Sequence, residues 1–435
     1  MTNGAIMADA TLCREIREEH RVWRFNTLVL YDLVMSHTLE WPSLTVQWIP
    51  GINPKEGITG ETLLIGTHTA DDEPNYLLLI EVGLPNEHIL PEGMRYDQCQ
   101  DYCGFSFGED STRKFNVNAR IPHEGEVNKA LYNPCDPTKI ATKAISGDVN
   151  LFDSTKFGPL VLKSNFRGQM HADLTLKGHT AEGWGMCWNT VKEGFLASVA
   201  DDGRFCLWDI NAYSTRKEMQ PYRRFSCNSS PMQDVTWVDG DSGGHVCISV
   251  NDEGNMLLWD IREDCAKAPT KKICVSNLPI VSISSNSLRS DIIAVGGADQ
   301  NINIWDMRQV SKPLHRIIAS HQEAVVRLQW ANWKPSLLAS ASSDRFVTLW
   351  DLDRVGMEQS ADDIEDGPPE LIFTHGGHTA PVSDICWNPE SEYRWMMVSV
   401  AEDNVLQIWQ PSKKAFQQQR FETDIESSDD EFEVE

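Results

Sequence analysis

The chain has no apolar run approaching the roughly 18 residues that a membrane-spanning helix requires, which predicts a soluble protein with no membrane partner. Base is scarce: 38 Lys and Arg face 64 Asp and Glu, for a formal charge of −26. Affinity for nucleic acid comes largely from cations that displace counterions from phosphates. Direct nucleic-acid binding is therefore disfavoured, and basic partners are expected. The 11 cysteines are odd in number and several sit in apolar, strand-like runs (Cys187, Cys206, Cys247, Cys386). They read as reduced core residues and not as a disulfide framework. Cys99 and Cys103 form a CxxxC pair with no second Cys/His pair near it, so no metal site is expected. No phosphate-binding glycine loop or nucleophile motif occurs; an enzyme and a cofactor are both disfavoured. The opening MTNGAIMADATLCREIREEH lacks a basic flank followed by an apolar stretch, which predicts no secretory signal and an intracellular chain.

What the sequence does have is a repeat. Five segments end alike: LASVADDGRFCLWD (196–209), CISVNDEGNMLLWD (247–260), IAVGGADQNINIWD (293–306), LASASSDRFVTLWD (338–351) and MVSVAEDNVLQIWQ (397–410). A sixth, IATKAISGDVNLFD (140–153), has Phe152 in place of Trp. The aromatic positions 152, 208, 259, 305, 350 and 409 are spaced 56, 51, 46, 45 and 59 residues apart. Each unit reads as a small-residue strand, an acidic turn and an alternating strand, the hairpin signature of period-2 burial. A further strand precedes each hairpin: GMCW (185–188), DVTW (234–237), VSIS (281–284), RLQW (327–330) and DICW (384–387). This pattern resembles WD40 blades. The resemblance implies that His179, His321 and His378, in Gly-His or Ser-His pairs, are held by turn acids, here drawn from Asp202, Asp299, Asp344 and Asp403 with Glu253 as a substitute. Recurrence from blade to blade makes these sets scaffold and not catalytic triads.

Six repeats leave open sheet edges that a closed ring would remove. Residues 41–82 supply a candidate seventh blade from LTVQW (44–48), TLLIGTHT (62–69) and NYLLLIEV (75–82). The expected fold is all-β: a seven-bladed WD40 propeller with an N-terminal α-helix packed on its edge. That helix is read from Leu12, Ile16 and Trp23, one apolar stripe among charges. The expected organisation is an N-terminal helical segment over 1–35, a propeller over 36–411 with an acidic Pro-Pro insertion at 353–370, and an acidic, disordered tail over 412–435. The insertion carries seven Asp/Glu and one Arg, and 422–435 carries eight Asp/Glu and no base.

Three segments are more specific than the repeats: LYDLVMSHTLEWPSLTVQW (30–48), HEGEVNKALYNP (123–134) and EDGPPELIFTHGGHTAPVSDICWNP (365–389). Through them the chain resembles, over about residues 12 to 410, the retinoblastoma-associated histone-binding WD40 proteins, small subunits of chromatin assembly factor and of chromatin-modifying complexes. The resemblance implies a nuclear, and also cytoplasmic, adaptor that recruits histones H4 and H3 to assembly, acetyltransferase, deacetylase, remodelling or Polycomb complexes. It also implies an edge groove for the first helix of histone H4, with Leu30 and Phe373 at the apolar positions and Asp363 and Asp366 as the carboxylates that meet histone arginines. Pro368 and Pro369 restrain the loop. Val29 stands where a Phe is usual, and Thr374 also shrinks the apolar trough.

A second site implied by the resemblance is the top face around the channel, which takes the tail of histone H3. Glu126, Asn128, Glu182, Asp252, Glu402 and Asn404 match there. Trp184, Gln233, Ala324 and Val326 depart from the pattern, removing two carboxylates and one aromatic wall, which predicts weak or altered tail binding. An alternative reading is a substrate receptor for a cullin-type ubiquitin ligase, on the WDxR runs ending at Arg262 and Arg308. Ser427 and Ser428 precede Asp429, Asp430 and Glu431, a context suited to acid-directed kinases.

Overall fold

The small-residue strands and their alternating partners pair as period-2 burial requires, and the ring they build fixes every candidate site. The structure, a computed structural model, describes residues 3–55, 58–69, 73–85, 115–157, 172–212, 217–226, 230–238, 243–263 and 268–413. Cys99, Cys103, Ser427, Ser428 and the segment 414–435 lie outside these residues. A helix, α1 (Asn3–Leu30), precedes seven antiparallel sheets, so the protein is a seven-bladed β-propeller.

Blade 1 is built from Val46–Lys55, Ile58–Gly66, Asn75–Pro85 and Phe115–His123. The seventh blade therefore lies where the sequence placed it, with a fourth strand that lacks any Trp-Asp signal. Blades 2 to 6 follow in order, and blade 7 starts with Val382–Trp387, Met397–Ala401 and Val405–Pro411. Its outermost strand comes from the other end of the chain: Tyr31–Thr38 pairs antiparallel with Val405–Pro411, from Tyr31 opposite Pro411 to Thr38 opposite Val405. Residues 31–35 are thus propeller and not part of the helical segment. Ring closure rests on this shared blade and not on blade 1 alone. A second edge is capped differently, because Glu218–Met219 runs parallel to the outer strand Leu174–Leu176 of blade 2.

The core is a series of clusters between neighbouring blades. Between blades 3 and 4, Phe205 stacks on Trp259 with centroids 5.4 Å apart and Phe225 closes the set. Within blades, the repeat residues form relays. The indole of Trp350 donates to Ser340 Oγ at 2.9 Å, Ser340 contacts His321 Nε2 at 2.7 Å, and His321 Nδ1 meets Asp344 at 3.0 Å. Trp208, Ser198, His179 and Asp202 repeat the relay, as do Trp409, Ser399, His378 and Asp403. Burial, followed by the nearby Lys143 charge, lowers His179 to about 4, so it is neutral at physiological pH.

Two of the expected turn acids hold no histidine. Asp299 accepts from the Asn301 amide and Glu253 pairs with Lys272, because neither blade supplies a His before its first strand. In blade 5 the serine is missing as well: Val295 occupies its position, and the buried Trp305 indole N–H has no hydrogen-bond partner.

One buried acid makes the junction of blades 7 and 1 sensitive to pH. Glu61 is 3% exposed and accepts from Asn388 at 2.5 Å. Burial raises its carboxyl from 4.5 to about 7; the Asn388 bond opposes the rise, while Glu390 and Glu392 add to it. The folded chain holds this proton to near neutrality, whereas the unfolded chain releases it near 4.5. Its stabilisation is therefore complete below the lower value and is lost as the pH rises through the higher one. Glu61→Gln is expected to remove on the order of 1–3 kcal/mol of the stability difference between pH 4.5 and 8, read by urea unfolding at each pH.

Candidate functional site

The helix is seated by a stripe that sequence periodicity only partly revealed. Trp23 and Thr27 are buried, and Ile16, His20 and Leu30 are half-buried. These positions recur at helical spacing along one face. Leu12, expected in the stripe, is 52% exposed, because the helix extends past the blade it rests on. The period was obscured by two polar members, His20 and Thr27, which pack as part of the same face.

At the centre of the seat is a directional chain of hydrogen bonds. The Trp23 indole donates to Tyr31 Oη at 2.9 Å, and Tyr31 lies 2.9 Å from His375 Nδ1. His375 Nε2 lies 2.8 Å from Gln407 Oε1, and Gln407 Nε2 donates to Gly377 O at 3.0 Å. Since Gln407 Oε1 can only accept, His375 carries its proton on Nε2 and receives the Tyr31 hydroxyl on Nδ1. Burial, then the charge of His378, holds the His375 pKa well below 6.5, so the ring stays neutral. Aromatic packing surrounds the chain: His375 stacks on Trp409 at 4.3 Å and Tyr31 meets Phe373 edge-on at 5.2 Å.

Beside this seat, α1 and blade 6 enclose a trough of about 600 Å³. Trp23, Phe346, Thr374 and Gly376 form its floor, and Glu15, Glu18 and Glu19 line its helical bank. Val22 and Asn26 also line it. Val29 shares their side of the helix at i, i+4, i+7 spacing and is 75% exposed. Arg345 crosses from blade 6 to Glu19 at 3.1 Å. Sequence reasoning missed Phe346, Gly376 and the three glutamates, since their convergence depends on how the helix lies against a blade distant in sequence.

The acidic insertion leads into this trough. It is not merely a loop: Ala361–Asp366 forms a short helix, α2. Ser360 caps it by accepting from the Asp363 amide at 3.1 Å and donating to the Asp363 carboxylate at 2.8 Å, the reciprocal capping pattern. Asp363 and Asp366, three apart, lie on one exposed face, with Ile364 exposed between them in sequence. Gly367 ends the helix at φ 135°, where a Cβ would lie 2.7 Å from Leu371. Pro368 and Pro369 then turn the chain, the Leu371 amide donating to Pro368 O at 2.9 Å. The neck is pinned by Glu370, buried and 2.9 Å from His315. The strand Leu371–His375 follows and carries Phe373, which is buried in the cluster that Leu30 packs against. Of the four groove residues expected from sequence, Leu30 and Phe373 thus share one apolar cluster, and Asp363 and Asp366 stand on the insertion that enters it.

The top-face residues are only partly gathered. Asn128, Trp184, Gln233, Val326 and Glu402 line one cavity of about 280 Å³ at the channel mouth. Glu126 is instead paired with His68 at 2.9 Å, and Asp252 with Gln233 at 2.9 Å. Asn404, at φ 62°, and Glu182 give their carbonyls to Leu39 and Asp201. Ala324 similarly accepts from the Ser343 amide. The arginines of the WDxR runs fold back onto their own aspartates, Arg262 onto Asp260 and Arg308 onto Asp306 and Asp291, as ordinary surface charge.

Relay-bearing blades, a closed ring and a helix that leaves a trough on the rim define a WD40 adaptor, a protein that holds other chains against its edge and face. The sequence comparisons agree with this class. Residues 18–86 match the family of the histone-binding protein RBBP4, a component of the CAF1 complex, and residues 369–410 match the WD domain, G-beta repeat. The chain belongs to this histone-binding WD40 family. The matched segments include Leu30 and Phe373, while Asp363 and Asp366 fall between them.

The helix seat has a direct test. Tyr31→Phe leaves the Trp23 N–H and His375 Nδ1 without their partner and is expected to cost about 1–3 kcal/mol. Hydrogen exchange should show faster opening of α1 than of blades 3 to 5, and unchanged exchange there would remove the chain's assigned role.

Proposed function

We propose that the protein is a histone H4-binding chaperone and adaptor that grips the first helix of H4 in the edge groove. The observation that carries this reading is the trough itself. It has an apolar floor, glutamates on the α1 bank, and Asp363 and Asp366 on the insertion that leads into it. An amphipathic helix that carries arginines needs such a surface, apolar at the centre and anionic at the rims. Val29 and Thr374 leave the trough shallower than a Phe and an Ile would, so charge supplies a larger share of the grip.

The adaptor presents H4 together with H3 to nuclear assembly, modifying or remodelling machinery, and catalysis belongs to those partners. At the channel mouth the tail of H3 binds weakly, because Trp184, Gln233, Ala324 and Val326 remove carboxylates and an aromatic wall from that surface.

The test is calorimetry with a peptide of the first H4 helix. Asp363→Asn combined with Asp366→Asn is expected to weaken binding by at least about tenfold and to lessen its salt dependence. Leu30→Glu is expected to abolish it by placing a charge in the apolar cluster. Undiminished affinity in both variants would overturn the groove reading.

A further inference from the structure

At the base of the channel mouth, four charged side chains from four different blades meet. Lys129 Nζ lies 2.7 Å from Asp384 Oδ2. Arg327 Nε lies 3.1 Å from Asp384 Oδ1, an ion pair without hydrogen-bond alignment, and Arg327 Nη1 donates to Asp234 Oδ2 at 3.2 Å. Both acids are also fixed by backbone: the Val46 amide donates to Asp384 and the Ile283 amide to Asp234. Asp384 and Lys129 are nearly inaccessible, whereas the Arg327 side chain keeps 25% of its surface. All four line the same cavity as Trp184, Gln233, Val326 and Glu402.

Charge counting gives this arrangement a consequence. Two carboxylates at the floor of a cavity with low-dielectric walls would attract any cationic side chain entering from above. Here Lys129 and Arg327 neutralise them from within. The two cations crowd one another: burial lowers the Lys129 pKa and the Arg327 charge lowers it further. An entering lysine or arginine finds its carboxylates already paired, and a guanidinium in its path.

We infer that Arg327 is a specificity-determining residue that acts as a built-in ligand of Asp234 and Asp384, closing the throat of the channel to cationic side chains. Basic peptides are left with the rim, chiefly Glu402. This rests on the reading of the mouth as a basic-peptide surface and names the residue that weakens it. Selectivity arises here from an internal competitor as much as from missing contacts.

The experiment is calorimetric titration of the full chain with an unmodified peptide of the histone H3 N-terminal tail. Arg327→Gln removes the competing charge while retaining a donor toward Asp234, and is expected to bind about tenfold or more tightly than the natural chain, with steeper salt dependence. Arg327→Lys keeps the charge and is expected to stay weak. Should the Gln variant not accumulate folded, Arg327→Met preserves the volume and gives the same comparison. Unchanged binding of the H4 helix peptide by each variant reports an intact ring and keeps this test separate from that of the groove. Equal, measurable H3 affinity in the natural chain and the Gln variant would overturn the inference while leaving the mouth a peptide surface. Absence of binding in both would overturn it together with that reading of the mouth. A gain in the Lys variant equal to that in the Gln variant would show that space and not charge governs entry, and would also overturn it.

Discussion

The antiparallel pairing of Tyr31–Thr38 with Val405–Pro411 holds the ring shut, and the candidate edge site depends on it. Tyr31 is at once the first residue of the closing strand and the middle of the hydrogen-bond chain from Trp23 to Gln407. The helix cannot take its place on the rim unless the strand that follows it is paired, and the trough exists only because the helix stands there. Burying so many polar atoms is tolerable because each donor in that chain meets an acceptor in one consistent direction. A ring of ordinary blades thereby acquires one blade unlike the others, and the recognition surface is found beside it.

The repeats show why the architecture was legible. A Trp, a Ser and a His separated by constant intervals become a relay only in a blade, so their recurrence announces the fold. The closing strand was not legible, since YDLVMSHT has no signature of its own and its partner lies at the far end of the chain. The α1 stripe was half visible: Trp23 showed it, but Leu12 misled, because apolar spacing does not tell where a supporting surface ends. The Ser360 and Asp363 cap was present in sequence as S-x-x-D, yet the acid density of the segment read as a loop. Leu30 and Phe373 lie on distinctive local segments and could be named from them. Phe346 and Glu19 were not named, because their meeting is a property of packing between distant elements.

The channel mouth illustrates a different limit. Substitutions at Trp184, Gln233 and Val326 can be noticed one by one in a sequence. The partnership of Arg327 with Asp234 and Asp384 cannot, since it joins inner strands of three blades across the axis. Charge that appears as a bulk surplus of acid is, at that point, balanced residue against residue. Local neutrality inside a strongly acidic protein lets one site repel what another attracts.

Shared ownership of blade 7 by the two ends of the chain also sets a timetable. Some 366 residues separate Thr38 from Val405. At about 5–20 residues per second of synthesis, the first strand made waits roughly twenty seconds to over a minute for its partner. Throughout that interval its edge is unpaired and α1 has no completed seat. The rim trough is thus the last part of the molecule to form during translation, and truncated chains lack it even where most of their blades are present.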